Sequence, residues 1–314
     1  MSSRPQESIS ALRSRFHIGD FTNVIESSKR GKFGEELREE VNVMMYRSMI
    51  SLGQAQEVLS MLSASDKNAP QLILLKSLAA YFVKTATDED RKAIVEQFSE
   101  FDSDPQIKET VHYPLIASCI FLNEDMYETA YRILKEAPHE TLEVISMTIS
   151  CLLSMNLPAK AAETLTKMKS INPDAALTLL ASAMLNLAIG KPEESFQTYQ
   201  ELIEKYGQTA YLVAMLGISQ MATGDARSAE KNLTRSLEMQ PYNPIAVASL
   251  IPILHRSKKS NSASLAARLS QKMLTEYPSH QLSKKIKATT EALSEHFGKE
   301  EDDEPENTET EEED

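Results

Sequence analysis

The sequence predicts an all-α fold, a solenoid of helical hairpins closed by a C-terminal capping helix. Three observations carry this. Ala, Leu, Glu, Met and Lys dominate while Gly and Pro fall between periodic apolar runs, a composition that favours helices over strands. Glycines, small residues and prolines recur at a spacing of 34 residues. One stretch, residues 210–243, shows the repeating unit in its most regular form.

That stretch, AYLVAMLGISQMATGDARSAEKNLTRSLEMQPYN, reads as a helix, a Gly-Asp turn, a second helix and a terminating proline. Leu216-Gly217 is the small step on its first helix, Gly224-Asp225 the turn, Ala229 the close-packing point on the second helix and Pro241 the stop. Length and residue order match the tetratricopeptide repeat. A single hairpin cannot bury its apolar face, so neighbours are required. The fold class is therefore a tetratricopeptide-repeat-like helical-hairpin solenoid.

In chain order, residues 1–10 form a flexible start, 11–298 an array of about seven hairpins plus a terminal helix, and 299–314 a disordered acidic tail. Leu12, Phe16, Ile18, Phe21, Val24 and Ile25 surround Gly19-Asp20, with Asp20 placed to cap the helix that follows. Gly53, 34 residues on, separates the run from Leu37 to Leu52 from AQEVLSML. Leu72, Leu75, Leu78, Ala79 and Phe82 share a helix face, and Thr87 to Asp90 supply a capping box before Ile94, Val95 and Phe98. Asp104 to Ala137 is a degenerate hairpin turning near Asn123 to Asp125, with Pro114 kinking or restarting its first helix.

Asn156, Gly190 and Gly224 then hold one turn position at spacings of 34, with Ala161, Ser195 and Ala229 five residues further on. The hairpins are Leu142 to Asp174, Ala176 to Tyr206 and Ala210 to Asn243. The next hairpin starts at Asn243-Pro244; the longer turn RSKKSNS delays its stop to Pro278, and Pro252 should bend it near His255. Gln281 to Phe297 is the closing amphipathic helix, with Leu282, Ile286, Leu293 and Phe297 inward.

Charge and chemistry narrow the function. Eleven acids and no base lie in residues 300–314, so of the net −13 only −2 belongs to the rest of the chain. No basic block marks a nucleic-acid or anionic-lipid surface, and no apolar run reaches a membrane-spanning length. Cys119 and Cys151 lie in apolar helical runs and read as buried free thiols. The six histidines lack metal-ligand spacing, and no phosphate loop is present. No catalytic residue, metal ligand or cofactor is expected, and the chain reads as non-enzymatic.

Function is sought on the first helices, which line the concave face of such arrays. Positions 2, 5, 9 and 12 give Leu177, Leu180, Met184 and Leu187 in one hairpin and Tyr211, Ala214, Ile218 and Met221 in the next. Together they predict an apolar partner-binding groove. Glu143, Ser146, Ser150 and Leu153 hold these positions in the hairpin before. Clamps for acidic peptide tails need Lys, Arg and Asn there, and Arg47, at position 9 of a hairpin counted from Glu39, is the lone such residue.

ALRSRFHIGDFTNVIESS, DAALTLLASAMLNLAIGKPEESFQTYQEL and LGISQMATGDARSAEKNLTRSLEMQPYNPIAVASLI resemble, in order and spacing, the epsilon subunit family of coatomer. The resemblance spans roughly Ala11 to Ser283 and is strongest from Asp174 to Ile251; Pro252 and the acidic tail depart from it. It implies a structural subunit of the COPI vesicle coat in Golgi-to-ER retrograde and intra-Golgi transport, at the cytosolic face of Golgi membranes and coated vesicles. It further implies an array that holds the C-terminal segment of the alpha coatomer subunit, reaching other subunits and the membrane through it. A tetratricopeptide adaptor of another cytosolic complex is the alternative.

Overall fold

Eighteen helices occupy the described residues of the computed structural model, which are 8–31, 33–64, 69–257 and 259–301, and no strand is found among them. Sixteen of them pair as eight antiparallel hairpins, leaving one short connecting helix and a last single helix, one hairpin more than the sequence suggests. The pairs are α1 (Ile9–His17) with α2 (Phe21–Arg30), α3 (Glu35–Ser51) with α4 (Ala55–Ser63), and α5 (Pro70–Phe82) with α6 (Asp88–Phe101). The four-residue α7 (Pro105–Lys108) leads into α8 (Tyr113–Asn123) and α9 (Tyr127–Lys135). Then come α10 (Leu142–Ser154) with α11 (Pro158–Ile171), α12 (Ala176–Ala188) with α13 (Pro192–Tyr206), and α14 (Ala210–Ala222) with α15 (Ala226–Met239). Finally α16 (Pro244–Arg256) pairs with α17 (Ser262–Glu276), and α18 (Gln281–Glu301) ends the array.

One turn geometry is used six times. Asp20, Gln54, Met126, Leu157, Lys191 and Asp225 each donate a backbone N–H to the carbonyl five residues earlier, at 2.8–3.0 Å. This bond closes a helix when the preceding residue turns left-handed. Gly19, Gly53, Gly190 and Gly224 supply that residue, and Asp125 and Asn156 do so at φ of 57° and 56°. Asn and Asp visit this region more cheaply than other side chains, which explains how two irregular hairpins keep the turn without glycine.

Local expectations fare unevenly. Thr87 and Asp90 form the capping box. Pro114 stands in the first turn of α8, so it restarts a helix. Asp20 occupies the cap position of α2, but its carboxylate accepts from the Asn23 side chain at 2.8 Å and bonds no backbone N–H. Pro252 lies inside α16, which runs on to Arg256. Residues 9 and 10 belong to α1, capped by Ser8, so the ordered array starts before residue 11. Residues 299–301 continue α18, and 302–314 lie outside the described residues.

The capping helix covers less than expected. Leu282 packs against the cluster of Val247, Ile251, Met273 and Tyr277, and Ile286 is half-buried. Leu293 is 52% exposed, however, because α18 leaves the array and every residue from 287 to 296 faces solvent. The side chain of Phe297 lies outside the described residues.

The array winds tightly enough to meet itself. The Thr209 hydroxyl, just before α14, donates to the Ile18 carbonyl at 2.6 Å across 191 residues. A β-carbon on Gly19 would lie 2.6 Å from Cβ of Tyr211, and one on Gly53 would lie 2.8 Å from the Tyr242 ring. The Lys84 ammonium pairs with Glu276 across 192 residues, and Lys287 pairs with Asp88 at 3.2 Å. The turn ends of the first hairpins therefore rest on the sixth to eighth hairpins, closing the wall around the axis.

Candidate partner-binding cavity

Winding of this kind leaves a bore. A cavity of about 930 Å³ is lined by α1, α3, α8, α10 and α12, the first helices of their hairpins, with residues that precede α8, α10 and α12 and with Tyr206 at the end of α13. Concave faces built from first helices are what the repeat requires. The lining is mixed rather than apolar: Phe16, Met44, Leu115, Leu142 and Leu177 alternate with Arg13, Glu36, Glu39, Arg47, Glu143 and Asp174.

An ion pair braces the bore from side to side. Arg47 on α3 meets Glu143 on α10 at 2.7 Å, and their side chains are 17% and 25% exposed. The Arg47 guanidinium also lies over the Phe16 ring, 4.7 Å from its centroid, a favourable cation–π placement. Burial pushes the Glu143 carboxyl up, but Arg47, His17 and His112 together hold it below the usual carboxylate range. On the same wall, Arg13 grips Glu40 with two nitrogens, the second at 2.7 Å.

Two histidines belong to this cluster. Burial lowers His17 to about 4, with Arg47 and Arg13 adding to the effect against the pull of Glu143. His112 is likewise lowered, by burial first and Arg47 second. Both rings are thereby shifted toward the neutral form.

The eight groove residues expected from repeat positions do not share this cavity. Leu177 lines it. Leu180 is 5% exposed in a core cluster with Ile18, and Leu187 and Tyr211 pack against that cluster. Ala214 is fully buried in the next core, against which Ile218 and Met221 pack. Met184 is half-buried on α12. Their surroundings follow from the winding: the α1–α2 turn occupies the space that a shallower superhelix would leave open in front of α14.

Arg47 and Glu143 were visible at inward repeat positions, yet nothing in a linear reading pairs residues 96 apart. Phe16 reads in the sequence as an apolar helix position and His17 as an isolated histidine, and no local signal turns either toward the cavity. The described residues include no group of three or more His, Cys, Asp or Glu placed to hold a metal ion. No described helix is long and apolar enough to cross a membrane.

Comparison with known proteins agrees with the fold. The sequence profile of the family described as coatomer epsilon subunit matches residues 6–297. Coatomer subunit epsilon-2 of Arabidopsis thaliana is 28% identical over 278 residues, covering 88% of this chain and 90% of that protein. Coatomer subunit epsilon of Dictyostelium discoideum is 28% identical, covering 84% and 89%, and that of Caenorhabditis elegans 28%, covering 86% and 90%. Among solved structures, a tetratricopeptide repeat protein from Parabacteroides merdae superposes with a TM-score of 0.54 at 12% identity, over 84% of this chain and 97% of that one. At that identity it speaks for the fold alone.

Proposed function

Since the chain belongs to the coatomer epsilon subunit family, and is thus a subunit of the COPI coat, we propose that it acts as a non-enzymatic holder of the alpha subunit's C-terminal segment. The match across residues 6–297 carries the coat assignment on which this reading rests. It is supported by a bore with a mixed lining, suited to gripping a peptide stretch by apolar burial and by bonds to its backbone. Leu177, Phe16 and Leu142 would meet the segment directly, beside Arg47, Glu143 and the two histidines. Leu180, Met184, Leu187, Tyr211, Ala214, Ile218 and Met221 would act by fixing α12 and α14 as its wall.

In this role the chain sits at the cytosolic face of Golgi membranes and coated vesicles, reaching both membrane and other subunits through its partner. It stabilises the coat during retrograde and intra-Golgi transport and needs no cofactor. Affinity purification of the tagged chain from its own cells tests the reading. The alpha subunit and the rest of coatomer should be recovered together, and Leu177→Ala, which trims the cavity face without placing a charge against the adjoining core of Ile145, Ile149 and Leu185, should reduce their recovery while keeping its helix content. Recovery of the wild-type chain free of coat subunits would overturn the proposal.

A further inference from the structure

The closed wall has two unlike halves. At one end the contact is buried: Ile18 is 1% exposed, Thr209 6%, and the Thr209–Ile18 hydrogen bond is sheltered between them. There Gly19 presses on Tyr211 close to the backbone, so a small shift cannot relieve or loosen it. At the other end the contact is ionic and wet. Lys84 and Glu276 are 42% and 38% exposed, and Lys287 and Asp88 are 48% and 63% exposed. Lys284 bridges Glu124 at 2.9 Å and donates to the last carbonyl of α8, Asn123, at 2.7 Å. Gln281 donates to that same carbonyl and to Asp125, both at 2.9 Å.

Exposed ion pairs are weak and are screened by salt, whereas a buried hydrogen bond within a packed contact is not. The apolar anchorage of α18 among the described side chains is limited to its start, at Leu282 and the half-buried Ile286, since residues 287–296 face solvent. Tyr242 marks the boundary, with Gly53 against one part of its ring and the Lys84 ammonium 5.5 Å from its centroid.

We propose that α17 and α18 form a strap that opens the wall along its ionic half, while the contact of Ile18 and Gly19 with Thr209 and Tyr211 stays shut as the hinge. Opening breaks ion pairs, the most shielded being Lys284–Glu124 at 28% and 26% exposure, and side-chain bonds to one helix end, and gives lateral access to the cavity. Its use, admitting a segment of a larger partner, rests on the function proposed above; the motion itself does not.

Spin-label distance measurements on the full chain test it without a partner. With Cys119 and Cys151 replaced by alanine and helix content verified, one label pair at Thr85 and Thr275 spans the ionic half, and another at Thr22 and Gln208 spans the hinge. Raising salt from about 0.05 M to about 1 M, which shortens the screening length to about 3 Å, should populate longer Thr85–Thr275 distances and leave Thr22–Gln208 unchanged. The double substitution Lys284→Ala with Lys287→Ala should do the same at low salt. A Thr85–Thr275 distribution indifferent to both treatments overturns the strap, and so does parallel lengthening of both pairs, which is unwinding of the whole array. A rigid strap leaves the coat assignment standing, and failure to recover coat subunits leaves the strap standing.

Discussion

Gly19→Ala isolates the contribution of self-contact, because Gly190 provides a matched control. The two residues hold the same turn position at φ of 78° and 75°. In a left-handed conformation an alanine costs about 1–2 kcal/mol, offset by about 0.4–1 kcal/mol through loss of freedom in the unfolded chain. Nothing lies within 4 Å of a β-carbon at Gly190, so Gly190→Ala should cost only about 1 kcal/mol. At Gly19 the new carbon would meet Cβ of Tyr211 at 2.6 Å. Relief requires the first hairpin to lift away from α14. Overpacking of this kind costs about 1–3 kcal/mol, and lifting would also break the buried Thr209–Ile18 bond. The expected total is about 2–4 kcal/mol. Urea unfolding followed by circular dichroism gives the comparison, with hydrogen exchange of α1 and α2 reporting whether the loss is local, since repeat arrays need not unfold in one step. Equal costs at the two glycines would refute the closed winding.

Thr209→Val removes both the bond to Ile18 and the cap on the Leu212 amide, at a cost of about 2 kcal/mol, whereas Thr209→Ser keeps both bonds and should cost far less in the same melts. Arg47→Ala strands Glu143 in a half-shielded site; with partial solvent screening we expect about 1–3 kcal/mol, and a rise of the Glu143 pKa visible by carboxyl NMR. His17 should make the protein acid-sensitive: its folded pKa lies near 4, below the ordinary 6.5, so its stabilisation is complete above pH 6.5 and falls as pH drops towards 4. Discounted for its partial exposure, the loss between pH 7 and pH 5 is about 1–2 kcal/mol, and His17→Asn should flatten that slope in unfolding midpoints. Leu180→Asp and Ile218→Asp should disrupt folding rather than binding alone, since both side chains pack in cores. Native-like melts for either would return them to the partner-facing surface.

The hairpins were legible because their determinants are local. A left-handed turn residue, a small residue five positions on and a proline stop all act within one repeat, and Gly224, Ala229 and Pro241 show them at a glance. Even the irregular fourth hairpin announced its turn, with Asp125 doing the work of glycine. The end of the array was harder: the stripe through Leu282, Ile286 and Leu293 is regular, but regularity cannot tell how far a helix stays on its support.

The cavity was illegible for a more specific reason. Contacts between the first and later hairpins fall at separations of 191 and 192 residues, about five and a half repeats of the 34-residue period. Residues that meet across the winding therefore occupy unlike positions within their repeats: a turn glycine meets a tyrosine from the start of a helix, and another turn glycine meets the tyrosine ahead of Asn243. A search for residues in phase finds each hairpin and cannot find these pairs. The winding is set by small rotations at each hairpin interface, so its pitch emerges from packing summed over the array. Whether an inward position faces the bore or the chain's own first hairpin depends on that sum. This is why Leu177 and Leu180, one helical turn apart on α12, differ: the first lines the cavity, and the second is sealed with Ile18.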